Sequence, residues 1–386
     1  MAPPVRNGGA LTLRLGVDGR ELREDVRTGI RRYLLEVVRV AVARGAECVV
    51  YGDRSTRLPV ELAAVARRVL PSPWTRWWDQ VELPRALRRD RVDVFLSPYY
   101  KRPLTAPCPT VITIHDLFFI GYPGRSRPVY DTTMTWLARL YARGAAAIIA
   151  DSEHSRRAIV DRLGLPAERV AVVPVGLGRE FTPAVLTAAQ RRRYGVAAGY
   201  VLYVGNFLPH KNLPRLLGAW AALPAALRAT HCLALAGGDG QRREALAARA
   251  KALGIDDSVV FPGLVADADL PALYSAAAVV VLPSLEEGFG LPALEAMACG
   301  APVITSGRGA LPEVVGDAGL LVDAEDERGL AAALARVLTS EPERMELRRR
   351  GRARAAYFTA ERTAGRVVDL LTSVAGHPPA LARTAG

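Results

Sequence analysis

Lysine is nearly absent from this chain. Only three lysines, Lys101, Lys211 and Lys251, occur among 51 basic residues, so arginine carries almost all of the formal charge of +12. No apolar stretch reaches the 18 or so residues that a membrane-crossing helix needs. The start, Met1-Ala-Pro-Pro-Val-Arg, lacks the cation-then-apolar pattern of a secretory signal, so a cytoplasmic protein is expected. Cysteine is sparse. Cys48, Cys108, Cys232 and Cys299 are scattered without metal-ligand or disulfide spacing, and read as reduced core residues. Aromatics make up 6% of the chain and do not interleave with basic residues as in RNA-binding modules, which argues against nucleic acid as a partner. The arginine runs 348–354 and 191–193 read as solvated helix faces or as attraction to an anionic membrane surface, at the inner face in a cytoplasmic protein.

What is present is ample apolar material in an alternating order. With 386 residues, 50% of them hydrophobic, the chain has enough for two cores. Apolar strand-like runs at 11–17, 47–51, 93–97, 110–114, 145–150 and 169–173 alternate with helical stretches, including one from Gly29 through Val42 and one opened by a capping Ser152. A Pro/Gly-bearing connection covers 176–193. The pattern then restarts with strands at 200–204, 230–236, 258–261, 276–282, 302–305 and 319–322, and helices at 213–227, 242–253, 270–277, 328–338, 342–357 and 361–374. Strands alternating with helices predict parallel sheets covered on both faces. The expectation is an α/β protein with two Rossmann-like, doubly wound domains.

The most informative stretch is Pro283-Ser-Leu-Glu-Glu-Gly-Phe-Gly-Leu-Pro-Ala-Leu-Glu-Ala-Met-Ala-Cys-Gly300. It follows the apolar run 276–282, carries Gly288 and Gly290, places Pro292 in a first helical turn and ends on a stop glycine. Strand, Gly-rich turn and short helix aim free backbone N–H groups at whatever sits above the strand, where an anion such as a diphosphate is favoured. Glu287 falls in the turn, and Glu295 about one turn into the helix. Carboxylates beside such a site suit hydroxyl-rich ligands, whose O–H groups they accept.

The run Glu-Gly-Phe-Gly-Leu-Pro-Ala-Leu-Glu, followed by Ala-Cys-Gly-Ala-Pro-Val-Ile-Thr-Ser, resembles the Glu-x7-Glu signature of retaining glycosyltransferases of the GT-B fold, and glycosyltransferase family 4 in particular. The resemblance covers almost the whole chain. It implies a GT-B architecture with two domains facing a cleft: an acceptor-binding domain at 1–180, which the C-terminal helix 361–386 rejoins, and a nucleotide-sugar-binding domain at 195–360. It implies that Gly288, Phe289, Gly290 and Leu291 meet the donor, that Glu287 holds sugar hydroxyls and Glu295 the ribose. Val204-Gly-Asn-Phe-Leu-Pro-His-Lys-Asn-Leu213 is similar to the family's phosphate loop, with Lys211 on the donor diphosphate and Asn206 beside it. Many members carry an arginine where this chain has Asn206 or His210. Gly237, in Gly237-Gly-Asp-Gly240, and Val265, in the stretch expected to meet the nucleobase, complete the donor set.

On the first-domain side, Ile114-His-Asp116 matches the family's Ile-His-Asp and puts His115 near the reacting sugar, with Asp116 toward the acceptor. Arg27-Thr-Gly-Ile-Arg-Arg-Tyr33 looks like the loop that approaches donor phosphate and acceptor, with Gly29 on the donor side and Thr28 and Arg31 on the acceptor side. Asp267-Ala-Asp269 mimics the Asp-x-Asp of metal-dependent transferases, but its place before 270–274 reads as a helix cap. No metal or other cofactor is expected. The implied reaction is retaining, front-face transfer of a hexose from a nucleotide sugar, catalysed by His115, Lys211 and Glu287. GDP-mannose is the favoured donor and a UDP-hexose the second; a glycan or lipid-linked glycan is the acceptor, in cell-surface polysaccharide or glycoconjugate biosynthesis. A nucleotide-sugar epimerase of the same fold and a non-catalytic nucleotide-sugar-binding module are the competing readings.

Overall fold

A computed structural model describes residues 13–23, 29–72, 74–121, 128–238 and 240–376. The first half builds a seven-stranded sheet from β1 (Arg14–Asp18), β2 (Glu47–Gly52), β3 (Ala66–Val69), β4 (Val94–Ser97), β5 (Thr110–Ile114), β6 (Ala147–Ala150) and β7 (Val170–Val172), in the order β3-β2-β1-β4-β5-β6-β7. The second half builds a six-stranded sheet from β8 (Val201–Gly205), β9 (Leu233–Gly237), β10 (Val259–Gly263), β11 (Val279–Leu282), β12 (Val303–Ser306) and β13 (Leu320–Val322), in the order β10-β9-β8-β11-β12-β13. Every neighbouring pair is parallel. Central strands such as β5 and β11 are buried along their whole length, which explains their unbroken apolar runs. In each sheet the strand order reverses once, between β1 and β4 and between β8 and β11. Ligands of open α/β sheets bind beyond the carboxyl ends of the strands at such a point.

Two local features depart from expectation. β3 reads Ala-Arg-Arg-Val, with no apolar run to announce it. It exists because β2 offers an open edge, and its arginines stay exposed. The single helix expected over 213–227 is two, Leu213–Ala221 and Ala225–Thr230, because Pro224 cannot continue the first and instead precedes the second.

The chain passes between the domains twice, side by side. Leu177 N–H donates to the Phe358 carbonyl at 2.9 Å, and Ala360 N–H donates to the Leu177 carbonyl at 2.9 Å. A Cβ on Gly176 would lie 2.2 Å from the Thr359 carbonyl, so only glycine permits this approach. The final helix, Ala360–Val374, then packs on the helix Gly29–Ala43. Its Ala364, Val367, Val368 and Leu371 join the core formed by β1, β2 and β4. It thus belongs physically to the first domain. Leu371→Ala, at a fully buried position, is expected to cost about 2–5 kcal/mol, read as a lowered midpoint in urea unfolding followed by circular dichroism.

Candidate active site

The chemistry of the second domain gathers at its reversal point. After β8, Pro209–Lys211 forms one 3-10 turn, and Asn212 takes a left-handed conformation at φ 59°. Asparagine tolerates that geometry, and here its buried amide donates to the Pro283 carbonyl at 3.0 Å and the Ala324 carbonyl at 2.8 Å. The loop is thereby pinned to the end of β11. Lys211 Nζ lies 2.6 Å from Glu287 Oε1, which also accepts the Ser284 hydroxyl at 2.8 Å. Both charged side chains are largely buried, at 14% and 8% exposure. The ammonium has three donors and spends one on Glu287.

The helix Leu291–Ala298 begins where expected, with Gly290 left-handed at φ 98° and Pro292 in the first turn. A Cβ on Gly290 would lie 2.5 Å from Leu311, so the glycine is needed twice over. Phe289 turns its ring into the core, edge-on to Phe358, leaving only its backbone for a ligand. Glu295 is buried. Its Oε2 accepts the Tyr274 hydroxyl at 2.9 Å, and its Oε1 lies 3.3 Å from Arg32 Nη1 of the first domain. Burial raises the Glu295 pKa more than Arg32 and Tyr274 lower it.

On the facing domain His115 follows β5, and Asp151 follows β6. His115 Nδ1 and Asp151 Oδ2 are 2.8 Å apart. A carboxylate can only accept here, so Nδ1 carries the proton and the orientation of Nε2 is fixed. Nε2 has no hydrogen bond among the described residues. The Tyr33 ring packs edge-on at 6.1 Å. Burial pulls the His115 pKa down, but Asp151, with smaller contributions from Asp116 and the Pro98 backbone, more than reverses this, and the net shift is upward. Asp116 shifts upward through burial, although its Oδ1 accepts the Phe118 N–H at 3.0 Å.

The domains meet across these groups. The Gly288 carbonyl accepts the hydroxyls of Ser152 at 2.9 Å and Ser155 at 3.1 Å. A Cβ on Gly288 would sit 2.8 Å from the His115 carbonyl. Glu313 accepts the N–H groups of Glu153 at 2.8 Å and His154 at 2.7 Å, capping the helix Glu153–Leu163 from the other domain. Gly29, at the start of its helix, abuts Leu291, at the start of another: a Cβ there would lie 2.8 Å from Leu291 Cδ1. Two helix N-termini therefore meet across the interface.

The structure thus brings together Gly29, His115, Asp116, Lys211, Glu287, Gly288, Gly290, Leu291 and Glu295. Gly237 lies beside Gly205 at the end of β9, with φ 103° and no room for a side chain. Asn206 is exposed at the same edge, its carbonyl held by the Tyr203 hydroxyl at 2.6 Å. Val265 is half-buried against the second-domain core. Thr28 and Arg27 lie outside the described residues, as does Asp239. Arg31 is half-buried on the first turn, but it is Arg32, one residue on, that reaches Glu295. Sequence reasoning named the loop and not this residue. Nor did it find Asp151, Ser155 or Glu313, which carry no motif of their own. Ser152 caps its helix as expected, accepting the Ser155 N–H at 3.0 Å, but its reach to the other domain has no signal in the sequence. Asp269 precedes its helix but makes no side-chain cap. It accepts Gln190 Nε2 at 2.7 Å and the Tyr194 hydroxyl instead.

Comparison with known proteins agrees with this geometry. The profile described as "Glycosyl transferases group 1" matches residues 191–354, and that of "Glycosyltransferase Family 4" matches residues 27–181. A D-inositol 3-phosphate glycosyltransferase of Thermobispora bispora is 31% identical over 389 aligned positions, covering 89% of each chain. The chain belongs to the family 4, group 1 glycosyltransferases. The O-antigen chain mannosyltransferase B of Escherichia coli is 36% identical over 220 residues, 56% of this chain and 58% of that protein. WbdA, a serotype-specific mannosyltransferase of Escherichia coli, is 29% identical over 279 residues, 69% of this chain and 34% of that protein. This glycosyltransferase therefore matches only part of the length of those two relatives.

Its fold is that of sucrose-phosphate synthase from Thermosynechococcus elongatus, with a TM-score of 0.75 at 23% identity over 94% of this chain and 99% of that one. WaaG, a glycosyltransferase of lipopolysaccharide biosynthesis, gives a TM-score of 0.71 at 19% identity over 93% of this chain and 100% of that one. The two-domain architecture with a parallel sheet in each half is thereby established as GT-B. In this glycosyltransferase, Asp151→Asn is expected to lower the His115 pKa, because burial is then opposed only by the Asp116 carboxylate and the Pro98 backbone. An NMR pH titration of the histidine ring signals reads this directly, and an unchanged pKa refutes the assigned cause.

Proposed function

We propose that this glycosyltransferase moves a hexose, most favourably mannose, from a nucleoside-diphosphate sugar to a hydroxyl of a glycan or lipid-linked glycan, with retention and without a metal ion, in building cell-surface polysaccharide. The observation that carries the reading is the buried Lys211–Glu287 pair at the β8/β11 reversal, beside the N-terminus of the helix Leu291–Ala298 and facing His115. Two helix N-termini, at Gly29 and Leu291, bring about half a positive charge each to one place. Their mutual repulsion is relieved by an anion between them. Mannose as the sugar is supported by the matched mannosyltransferases, and a GDP-sugar is the donor to test first. A UDP-hexose comes second, because the D-inositol 3-phosphate glycosyltransferase aligned over 89% of this chain is not named for mannose.

In this mechanism the bond from the sugar anomeric carbon to the diphosphate oxygen breaks as the acceptor oxygen bonds the same face. The acceptor proton passes to the departing phosphate oxygen. Lys211 uses its two remaining donors on the diphosphate, and the backbone N–H groups at 290–292 add their dipoles, replacing the charge a metal would supply. Glu287 accepts sugar hydroxyls. His115, held by Asp151, helps to position the sugar or the acceptor. Arg32 yields Glu295 to the ribose hydroxyls and stands as the second cation that the phosphate loop lacks at Asn206 and His210. Closure of the domains excludes water, which limits hydrolysis of the donor.

The protein is proposed to work at the cytoplasmic membrane face. No helix among the described residues is long and apolar enough to cross a membrane. Peripheral contact is supported by the helix Pro128–Gly144, which exposes Val129 at 82% and Trp136 at 60%. Arg102 Nε donates to the Tyr141 carbonyl at 3.2 Å and the Arg102 carbonyl accepts Gln80 Nε2 at 3.1 Å, which ties this helix to the segment that carries exposed Trp77. Exposed apolar and aromatic groups on a chain of formal charge +12 fit an anionic bilayer surface.

Three outcomes are expected. Lys211→Ala should lower kcat/KM for transfer from GDP-mannose by about 100-fold or more, while added chelator leaves the wild-type rate intact; near wild-type transfer in the variant defeats the assigned role. A thermal-shift screen of GDP-, UDP- and ADP-sugars should find stabilisation that grows with ligand concentration, and no shift with any of them defeats the donor class. Trp136→Ala should weaken co-sedimentation with phosphatidylglycerol-containing vesicles and leave pelleting with neutral vesicles at background.

A further inference from the structure

A cavity of about 690 Å³ lies beyond the carboxyl ends of β1, β2 and β3, on the same edge of the sheet that presents His115. Arg20, Asp53, Ser55, Trp74 and Trp78 line it. Trp74 is 70% exposed, an unusual position for an indole, whose large apolar face gains when a ligand covers it. Trp78 is buried, and the Arg20 guanidinium stacks on it with its carbon 3.9 Å from the ring centre. Arg20 is held from behind. Its Nε and Nη2 bond Asp18 at 3.0 and 2.6 Å, and Nη2 lies 2.9 Å from Asp79. Its Nη1 has no bond to the described residues.

Asp53 takes the Ser55 N–H at 2.7 Å, the Thr56 N–H at 3.2 Å and the Ser55 hydroxyl all on Oδ1, which leaves Oδ2 to accept. Burial raises the Asp53 pKa, but these hydrogen bonds more than offset it and keep the group ionised. The cavity therefore offers an aromatic face, one fixed donor and one fixed acceptor. Asp18 and Asp79 share the Arg20 guanidinium, and Asp53 offsets the exposed Arg54 at the rim, so the site does not favour a phosphate. A neutral pyranose matches it, with a C–H face for the indole and neighbouring hydroxyls for Arg20 and Asp53.

We infer that this cavity is a glycan subsite that binds an internal sugar ring of the acceptor, so that the enzyme acts on an oligosaccharide chain and not on a single sugar. The inference rests on the transferase reading above. β2 and β5 are three strands apart, about 14 Å at the usual spacing, a span that takes more than one ring between the subsite and the reacting hydroxyl.

The test uses the full chain, GDP-mannose, and an α-mannosyl disaccharide and hexasaccharide as probes. The hexasaccharide should show a KM about tenfold below that of the disaccharide, equivalent to about 1.4 kcal/mol. Trp74→Ala should collapse this ratio toward one through KM and not kcat, and Trp74→Phe should restore most of it. Without donor, the hexasaccharide should quench tryptophan fluorescence in the wild type and not in Trp74→Ala. Asp53→Asn should weaken the same binding. Equal KM values for both probes in the wild type, or unchanged quenching in Trp74→Ala, overturns the subsite. Donor binding by thermal shift is read in parallel. If GDP-mannose binds and turns over while the Trp74 variants change nothing, only the subsite falls. If no nucleotide sugar binds, the transferase reading falls, and the fluorescence titration still decides the subsite.

Discussion

Pairing Lys211 with Glu287 inside the cleft is the constraint around which the rest of this structure is arranged. A buried ammonium and carboxylate each lose several kcal/mol of hydration, and their attraction offsets that loss only when geometry and further hydrogen bonds are good. Ser284 supplies one such bond, and Asn212 holds the loop that carries the lysine. Such a pair adds little to stability compared with apolar packing. Its value is that a positive and a negative group stand ready, a few ångströms apart, at the reversal point of a parallel sheet. A phosphate needs the first, and a hydroxyl-rich ring needs the second.

The contact between the domains is largely polar where it touches this site, with Phe118 on the His210 ring at 4.8 Å and Leu291 against Gly29 as the apolar exceptions. Gly288 offers its carbonyl to two serine hydroxyls, Glu313 caps a helix of the opposite domain, and Arg32 meets Glu295. Interfaces of this kind separate more readily than apolar ones. Apolar continuity is instead confined to each domain's own core and to the helix Ala360–Val374, which is packed into the first. The paired crossings at Leu177 and Phe358–Ala360, with Gly176 between them, are the narrow place about which opening can occur.

The two sheets divide the work by the same rule. Each reverses its strand order once and gathers charged groups beyond that point. In the second sheet these are Lys211 and Glu287, one cation against one carboxylate. In the first they are Asp18, Arg20 and Asp79, where two carboxylates outweigh one cation and aromatic rings stand alongside. The two clusters therefore differ in charge balance at equivalent positions, a neutral pair in one sheet and an excess of carboxylate in the other.

Sequence alone determined the βα alternation, because parallel strands buried on both faces must be continuous apolar runs, and β5 and β11 read that way. It determined the turn at 288–292, because glycine and proline fix backbone geometry locally, and it marked Lys211 through the scarcity of lysine. It did not announce β3, whose arginines form a strand only because β2 has a free edge, nor the break at Pro224 as the end of one helix and the start of another. Tertiary structure decided which groups meet. Arg32 and not Arg31 reaches Glu295, Asp151 orients His115, and Glu313 caps a helix in the other domain. These pairs are separated by tens to hundreds of residues, and a hydrogen bond depends on distance in space, which spacing along the chain does not encode.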